Sequence, residues 1–470
     1  MFKPKFTLRA GARVLSGIML GMLSAALLTL AFPPYNLWVL IWFALVPALV
    51  AQYGVMPRQL AALPQAIAIG LWLGLFLAPA FAGLVISLLP PVVFLITLLT
   101  AGGERAFNER TEFRWFVPYG AVSWVGIEMI RSLIPVMGTW AFVANTQHSQ
   151  PWLIQPVSVF SIFGLSLMIM LVNYALALGV LYLLNQRASA MLLVPRIPTE
   201  VVRAWGVGVL AVVVGWIGLS LLLYRESETP RVRVAALHYD AGAPWGAPEK
   251  FVELSRQAAE AGAQVIVWPE LAIEGDPQVS GTTAFKQLAA ETNAYLVLGY
   301  LGEQGRDAPV TRNEATVLTP GGRFLGVFGK DHPVIFAGET SLTRGTYPTY
   351  DTPLGRLGTM ICHDMDHTST ARTLTRNGAQ LILVPSYNWA GIATIQYTHL
   401  VFRAVENRVS AVKPDGGGQD SVIIDPYGRI LAAAITPGGD KRGQAVIADV
   451  PLGTGDTLVV RLGDWIGWLA

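Results

Sequence analysis

The sequence predicts a bundle of membrane-spanning helices followed by a layered α/β domain. Two observations carry this. The 470 residues are 53% hydrophobic and only 14% charged, about half the charged share of an ordinary globular protein. The hydrophobicity is also uneven. Residues 1–224 are mostly apolar, with charges confined to short breaks, whereas 225–455 read as a soluble domain. Lys+Arg at 33 against Asp+Glu at 31 gives a net charge of +2. That is too balanced for a nucleic-acid binder, which carries a concentrated basic surplus. The single cysteine excludes an intrachain disulfide and a four-cysteine zinc site. It is either a small buried hydrophobe or a reactive thiol.

A helix needs roughly 20 apolar residues to cross a bilayer core. Seven stretches qualify: about 14–32, 37–53, 61–80, 82–101, 115–134, 156–184 and 204–224. Lys and Arg fall at the N-terminus (Lys3, Lys5, Arg9, Arg13), after the second span (Arg58), after the fourth (Arg105, Arg110, Arg114) and after the sixth (Arg187, Arg196, Arg203). The alternate breaks, near 33–36, 80–82 and 135–155, carry none. Basic residues stay on the cytoplasmic side, so the N-terminus is expected inside. Seven crossings then leave the α/β domain on the outer face. Phe32-Pro33-Pro34-Tyr35-Asn36-Leu37-Trp38 is expected to form a tight outer turn with aromatics at headgroup level. Glu128 and Arg131 share one helix face, and read either as a structural pair or as part of a pathway. The final stretch, 456–470, sets Arg461, Asp464, Trp465 and Trp468 ahead of aliphatics, as an eighth span would begin, with too few residues to complete a crossing.

In the soluble half, strand-like runs at 232–237, 264–268, 295–300, 314–318, 323–328, 356–361 and 381–384 alternate with helical periodicity at 249–262, 284–293, 369–377 and 395–408. A hairpin is expected over 421–431, through Asp425-Pro426-Tyr427-Gly428. Such alternation means helices laid over sheet faces. Reactive groups in these domains gather at strand ends. Glu270, Lys330 and Cys362 each follow a strand run. A thiol near neutral pH needs a base and a positive neighbour to attack a carbonyl. Glu270 could take the proton, and Lys330 could stabilise the thiolate and the resulting oxyanion. Residue types alone leave a second reading open, with two surface charges and a core cysteine.

Val267-Trp268-Pro269-Glu270, then Gly329-Lys330 leading to Gly338-Glu339, then Ile361-Cys362-His363-Asp364 resemble the Glu-Lys-Cys triad of the nitrilase superfamily. The membrane half resembles one branch of it, the bacterial apolipoprotein N-acyltransferases, in the Phe32-to-Trp38 turn, the Glu128/Arg131 helix and the 160–173 segment. The resemblance implies an αββα sandwich and a two-step acyl transfer. An acyl chain leaves a phospholipid for a cysteine thioester, then passes to the α-amino group of a lipoprotein's N-terminal diacylglyceryl-cysteine. It implies Glu270 as general base, Lys330 as oxyanion stabiliser, Cys362 as nucleophile and Glu339 as the glutamate that assists the lysine. Trp245 matches a tryptophan near the substrate entrance. Two departures bear on substrate preference. Cys362-His363-Asp364 stands where Cys-Tyr-Glu is common, and Ser386-Tyr387-Asn388-Trp389-Ala390 where Asn-Asp-Ala-Trp-Phe is common.

The same resemblance implies a monomer of the bacterial cytoplasmic membrane, with its catalytic domain outside and no cofactor. His363-Asp364-Met365-Asp366-His367 is not read as a metal site, because such sites need three convergent ligands and the thiol already has a use. The competing reading is a membrane-tethered nitrilase-type amidase that passes the acyl group to water. The loop 331–350 is expected to act as a bilayer-facing lid, from Val334, Ile335 and Phe336 between possible hinges at Gly338 and Gly345.

Overall fold

The computed structural model describes residues 8–79, 84–188, 193, 197–242, 248–304, 310–335, 339, 341 and 343–470. The apolar stretches are helical. α1 (Leu8–Ala31) is followed by a broken segment in which a tight turn (Trp38–Trp42), α2 (Val46–Val50) and a wide turn (Ala51–Val55) run end to end. Then come α3 (Leu63–Leu77), α4 (Leu84–Arg110), α5 (Phe116–Ser132), the short α6 (Pro151–Ile154), α7 (Val157–Ala188) and α8 (Thr199–Leu223). Among the described residues five segments are long and apolar enough to cross a membrane: Gly11–Ala31, Trp38–Val55, Arg58–Leu77, Val157–Arg187 and Thr199–Leu223.

Polar side chains repair the irregular backbone in this bundle. A broken helix leaves N–H and C=O groups without partners, which is costly away from water. Asn173 on α7 answers this, accepting from Leu45 N at 3.0 Å and donating to Ile41 O at 2.8 Å. Glu128 and Arg131 each bond to the loop after α5, and no hydrogen bond joins one to the other. Glu128 Oε1 accepts from Trp124 Nε1 and Val143 N, both at 3.1 Å. Arg131 donates to Ala141 O at 3.2 Å and lies over the Phe142 ring. The two residues fasten that loop, which reaches the candidate active site.

The second half is a four-layer αββα sandwich. β1 (Arg231–His238), α9 (Pro248–Glu260), β2 (Val265–Val267), β3 (Ile273–Glu274), α10 (Thr282–Thr292), β4 (Tyr295–Gln304), β5 (Val310–Leu318) and β6 (Phe324–Gly329) come first. They are followed by β7 (Thr349–Thr352), β8 (Gly355–Thr359), α11 (Thr368–Arg376), β9 (Leu381–Leu383), α12 (Gln396–Asn407), β10 (Ser410–Lys413), β11 (Asp420–Ile424), β12 (Ile430–Ile435) and β13 (Gln444–Pro451). One sheet runs β13-β1-β2-β4-β5-β6, with β3 on β4; the other runs β12-β11-β10-β9-β8-β7. Val234, Val265, Val297 and Val317 of the first sheet meet Leu357, Leu381, Val412 and Ile423 of the second. The outer face of the first sheet is covered by α9 and α10 through Phe251, Leu254 and Leu288.

The outer face of the second sheet carries α11 and α12, and there the sandwich joins the membrane half. Met360, Leu400, Val401 and Ile424 belong to the same apolar cluster as Phe142, Ile154, Val157 and Phe163. Every residue of α12 is buried, because one face lies on the sheet and the other on α7. After β13, α13 (Leu458–Leu462) packs on α7 and α11, and α14 (Trp465–Leu469) on α5 and α7. Trp465 Nε1 donates to Val159 O at 2.8 Å, and Gly467 sits against Met129 and Phe163.

β3, β7, β10 and β13 were not expected from the sequence. β10 is instructive, because it is fully buried yet ends in Lys413, a residue type that reads as solvent-facing. Its ammonium is satisfied by Asp420 through the backbone carbonyl at 2.7 Å and Oδ1 at 2.8 Å.

Candidate active site

Three strand ends converge. β2 runs into Trp268-Pro269-Glu270, β6 into Lys330, and β8 leads by Met360-Ile361 into Cys362. The first two lie on one sheet and the third on the other. The wall under Glu270 is tight. Trp268 is fully buried, and its Nε1 donates to Ser255 Oγ at 2.9 Å. A Cβ on Gly299 would stand 2.2 Å from Pro269 O and 2.9 Å from Glu270 Cα. Gly299→Ala is therefore expected to cost about 1–3 kcal/mol and to displace Glu270. The check is a lowered melting temperature together with slower turnover.

Glu270, Lys330 and Glu339 form one hydrogen-bonded unit. Lys330 Nζ donates to Glu270 Oε1 and to Glu339 Oε2, each at 2.8 Å. Asn313 Nδ2 donates to Glu270 Oε1 at 2.7 Å and also to Glu339 Oε1. Tyr387 N donates to Glu270 Oε2 at 3.1 Å, and Val334 N to Glu339 Oε2 at 2.8 Å. Burial works against the charge on Lys330, but Glu270, Cys362 and Glu339 outweigh it and hold its pKa well above the ordinary lysine value. The carboxyl of Glu339 is also buried, and Lys330 beside it keeps its pKa below the usual range. Such a lysine is a fixed positive charge in a dry site, where charge acts most strongly.

Cys362 sits at φ 44°, a left-handed backbone that side-chain-bearing residues seldom adopt and that clusters at reactive sites. Its N–H is held by Pro385 O at 2.9 Å. Its Sγ lies 3.7 Å from Asn388 Oδ1 and 4.0 Å from Tyr387 O. Burial pushes the thiol pKa well up, as does the charge of Glu270, against the opposing pull of Lys330. The resting group is accordingly a neutral thiol that must lose its proton as it attacks. A carboxylate and a cation beside a thiol can carry out that step.

The neighbours of Cys362 divide by task. Asp364 is a staple: its Oδ1 accepts from Asp331 N at 3.1 Å and His332 N at 2.7 Å, and its Oδ2 from Ile361 N at 2.9 Å. It ties the stretch after Lys330 to the turn carrying Cys362, and burial lifts its pKa to about 8. His363 packs against His367, and its Nδ1 meets His332 O at 3.0 Å. Burial, then the charge of Lys330, lowers its pKa to about 4, so it is neutral. Val136, Trp140, Val334, Trp389, Ile392 and Gln396 line a small cavity opening on Cys362. Two of these, Val136 and Trp140, come from the loop after α5 in the membrane half. Of the expected lid, Val334 lines this cavity and Ile335 is exposed, while Phe336 and Gly338 lie outside the described residues, as does Trp245.

Sequence reading missed Asn313 and Gln396. Asn313 stands beside Lys330 because β5 pairs with β6, where Lys330 N donates to Asn313 O at 2.9 Å. It is buried together with Glu314–Leu318, and its one local signal is a polar residue beside an apolar strand run. Gln396 arrives by the fold alone, from the start of α12.

Two family models match in tandem: an apolipoprotein N-acyltransferase N-terminal domain over residues 24–175, and a carbon-nitrogen hydrolase domain over 231–457. An apolipoprotein N-acyltransferase of Geobacter metallireducens is 27% identical over 514 residues, covering 96% of this chain and 92% of its own. A nitrilase of Pyrococcus abyssi is 28% identical over 210 residues, 39% of this chain and 77% of that protein. Among solved structures, an amidase of the nitrilase superfamily from Nesterenkonia sp. AN1 is 22% identical, with a TM-score of 0.39 over 47% of this chain and 92% of that one.

Proposed function

This chain belongs to the apolipoprotein N-acyltransferase family, and from that premise we propose how its residues carry out the transfer. It is a membrane-bound acyltransferase that moves an acyl chain from a phospholipid to the N-terminus of a diacylated lipoprotein. Cys362 is the nucleophile. Glu270 takes the thiol proton as sulfur attacks the ester carbonyl, and Lys330 stabilises the oxyanion that forms. The carbon–oxygen bond breaks, Glu270 returns the proton to the leaving alcohol, and a thioester remains on Cys362. In the second half the lipoprotein α-amine attacks the thioester, Glu270 accepts its proton, and the carbon–sulfur bond breaks as Glu270 passes that proton to the leaving sulfur, giving the amide, the free thiol and the carboxylate again. Glu339 assists by sharing Lys330. Asp364 and His363 shape the turn that carries the sulfur.

The observation that carries this reading is the cavity at Cys362, whose walls include Val136 and Trp140 from the membrane half beside Val334, Trp389 and Ile392 from the catalytic half. A thiol approached between a membrane bundle and a sandwich suits a lipid acyl chain better than a soluble amide. In this reading residues 1–224 form the membrane domain, 225–455 the catalytic domain, and 456–470 return to the bilayer. The protein lies in the bacterial cytoplasmic membrane as a monomer, with the catalytic domain on the outer side. The test is a labelled phospholipid presented in mixed micelles with a diacylated lipopeptide. The label is expected on the lipopeptide amine. Release of free fatty acid alone, with hydrolysis of short amides, would favour the amidase reading.

A further inference from the structure

Beside Cys362 one side chain has no part in the steps above. Gln396, the first residue of α12, is buried. Its carboxamide faces the sulfur, with Nε2 at 3.7 Å and Oε1 at 4.0 Å from Sγ. It lines the same small cavity as Asp366, whose Oδ1 is buried without a hydrogen-bond partner among the described residues. Asp366 Oδ2 accepts from Trp140 Nε1 at 2.7 Å. The backbone carbonyl of Asp366 accepts from Thr139 N at 2.8 Å and Thr139 Oγ1 at 2.9 Å. Thr139 and Trp140 lie in the loop after α5 that Glu128 and Arg131 fasten.

Donor and acceptor rules orient this chain of contacts. An indole N–H can only donate, so Asp366 meets Trp140 as an acceptor. A carboxylate in the same cavity wall favours the NH2 end of Gln396 over its carbonyl. The same NH2 group has a second hydrogen, and Nε2 is the nearer of the two amide atoms to Sγ. On the opposite side it is Asn388 Oδ1 that faces the sulfur, and turning that amide over would take Nδ2 away from Asp420 Oδ1, to which it donates at 2.6 Å. Asn388 Oδ1 therefore suits the neutral thiol, and Gln396 Nε2 suits the thiolate.

We infer that Gln396 is a positioning residue that donates to the Cys362 sulfur as it becomes a thiolate, and that the membrane half sets its orientation through Trp140 and Asp366. This rests on Cys362 being the nucleophile, but not on which lipid donates the acyl chain. The charged and titratable groups facing the thiol are Glu270 and Lys330 from the first sheet, Lys413 and Asp420 on β10 and β11, and His363 and Asp366 on its own turn. All stay in place when Gln396 or the indole nitrogen alone is changed.

The experiment uses the chain's single cysteine. Iodoacetamide alkylation of the purified full-length protein in detergent, followed as intact mass against pH, reads Cys362 alone. Gln396→Met keeps the length and removes both polar atoms. It is expected to alkylate about three- to tenfold more slowly at a given pH, with the profile displaced to higher pH, since a hydrogen bond to an ionised group is lost. Gln396→Asn keeps the amide but withdraws it by one methylene, and is expected to move the profile the same way if the methionine variant does not fold. Trp140→Phe retains a ring and loses the indole donor, and is expected to move it in that direction by about twofold or more. A wild-type alkylation profile in a folded Gln396 variant, or in folded Trp140→Phe, overturns the inference. Alkylation needs no lipid, so this result is independent of the acyl-transfer assay.

Discussion

Lys330→Met is expected to lower acyl transfer by at least about a hundredfold and to destabilise the catalytic domain by about 3–5 kcal/mol. Both effects follow from one arrangement. The ammonium lies between Glu270 and Glu339 at 2.8 Å from each, and Asn313 bonds to both carboxylates. Removing the cation leaves two buried acidic groups facing each other with one amide between them. One of them must then take up a proton or the pocket must open, and in either case the oxyanion loses its fixed positive partner. Thermal melting in detergent and the transfer rate, taken on the same preparation, check this. Wild-type melting with turnover within threefold would contradict it.

Cys362→Ala is expected to reduce turnover to background, a loss of at least about a hundredfold, with little change in melting. Alanine tolerates the left-handed backbone at this position about as poorly as cysteine, so the substitution removes the sulfur without altering the strain. Apart from long contacts to Asn388, Tyr387 and Gln396, Sγ holds nothing in place. Loss of chemistry with retention of fold separates a nucleophile from a structural cysteine.

The convergence of Glu270, Lys330 and Cys362 was legible in sequence because each directly follows an apolar strand run, and strand ends are where α/β domains gather reactive groups. The matching family resemblance added Glu339, which the fold sets against Lys330. The parts that were not legible depend on packing between distant segments. Asn313 becomes important through the β5–β6 pairing. Gln396 meets Cys362 only because α12 packs against the turn that carries the sulfur, and Asp366 gains Trp140 and Thr139 only because that turn docks on the loop after α5. Lys413 hid β10, since a lysine inside a buried strand reads as solvent-facing until Asp420 is seen to neutralise it. Glu128 and Arg131 were legible as a functional or structural feature, but sequence spacing could not reveal that each would turn to backbone in the next loop. That loop carries Thr139 and Trp140, so a feature read as local to one helix bears on the far side of the domain junction.

The central claim is that an acyl chain resides on Cys362 between donor and acceptor. The direct measurement is intact-protein mass spectrometry after exposure to phospholipid with no lipopeptide present. The expected result is a mass increase of one acyl group that hydroxylamine removes, that a diacylated lipopeptide discharges, and that Cys362→Ala lacks. An unmodified wild-type protein that still transfers acyl chains at its normal rate, or an acyl adduct that persists in Cys362→Ala, would contradict it.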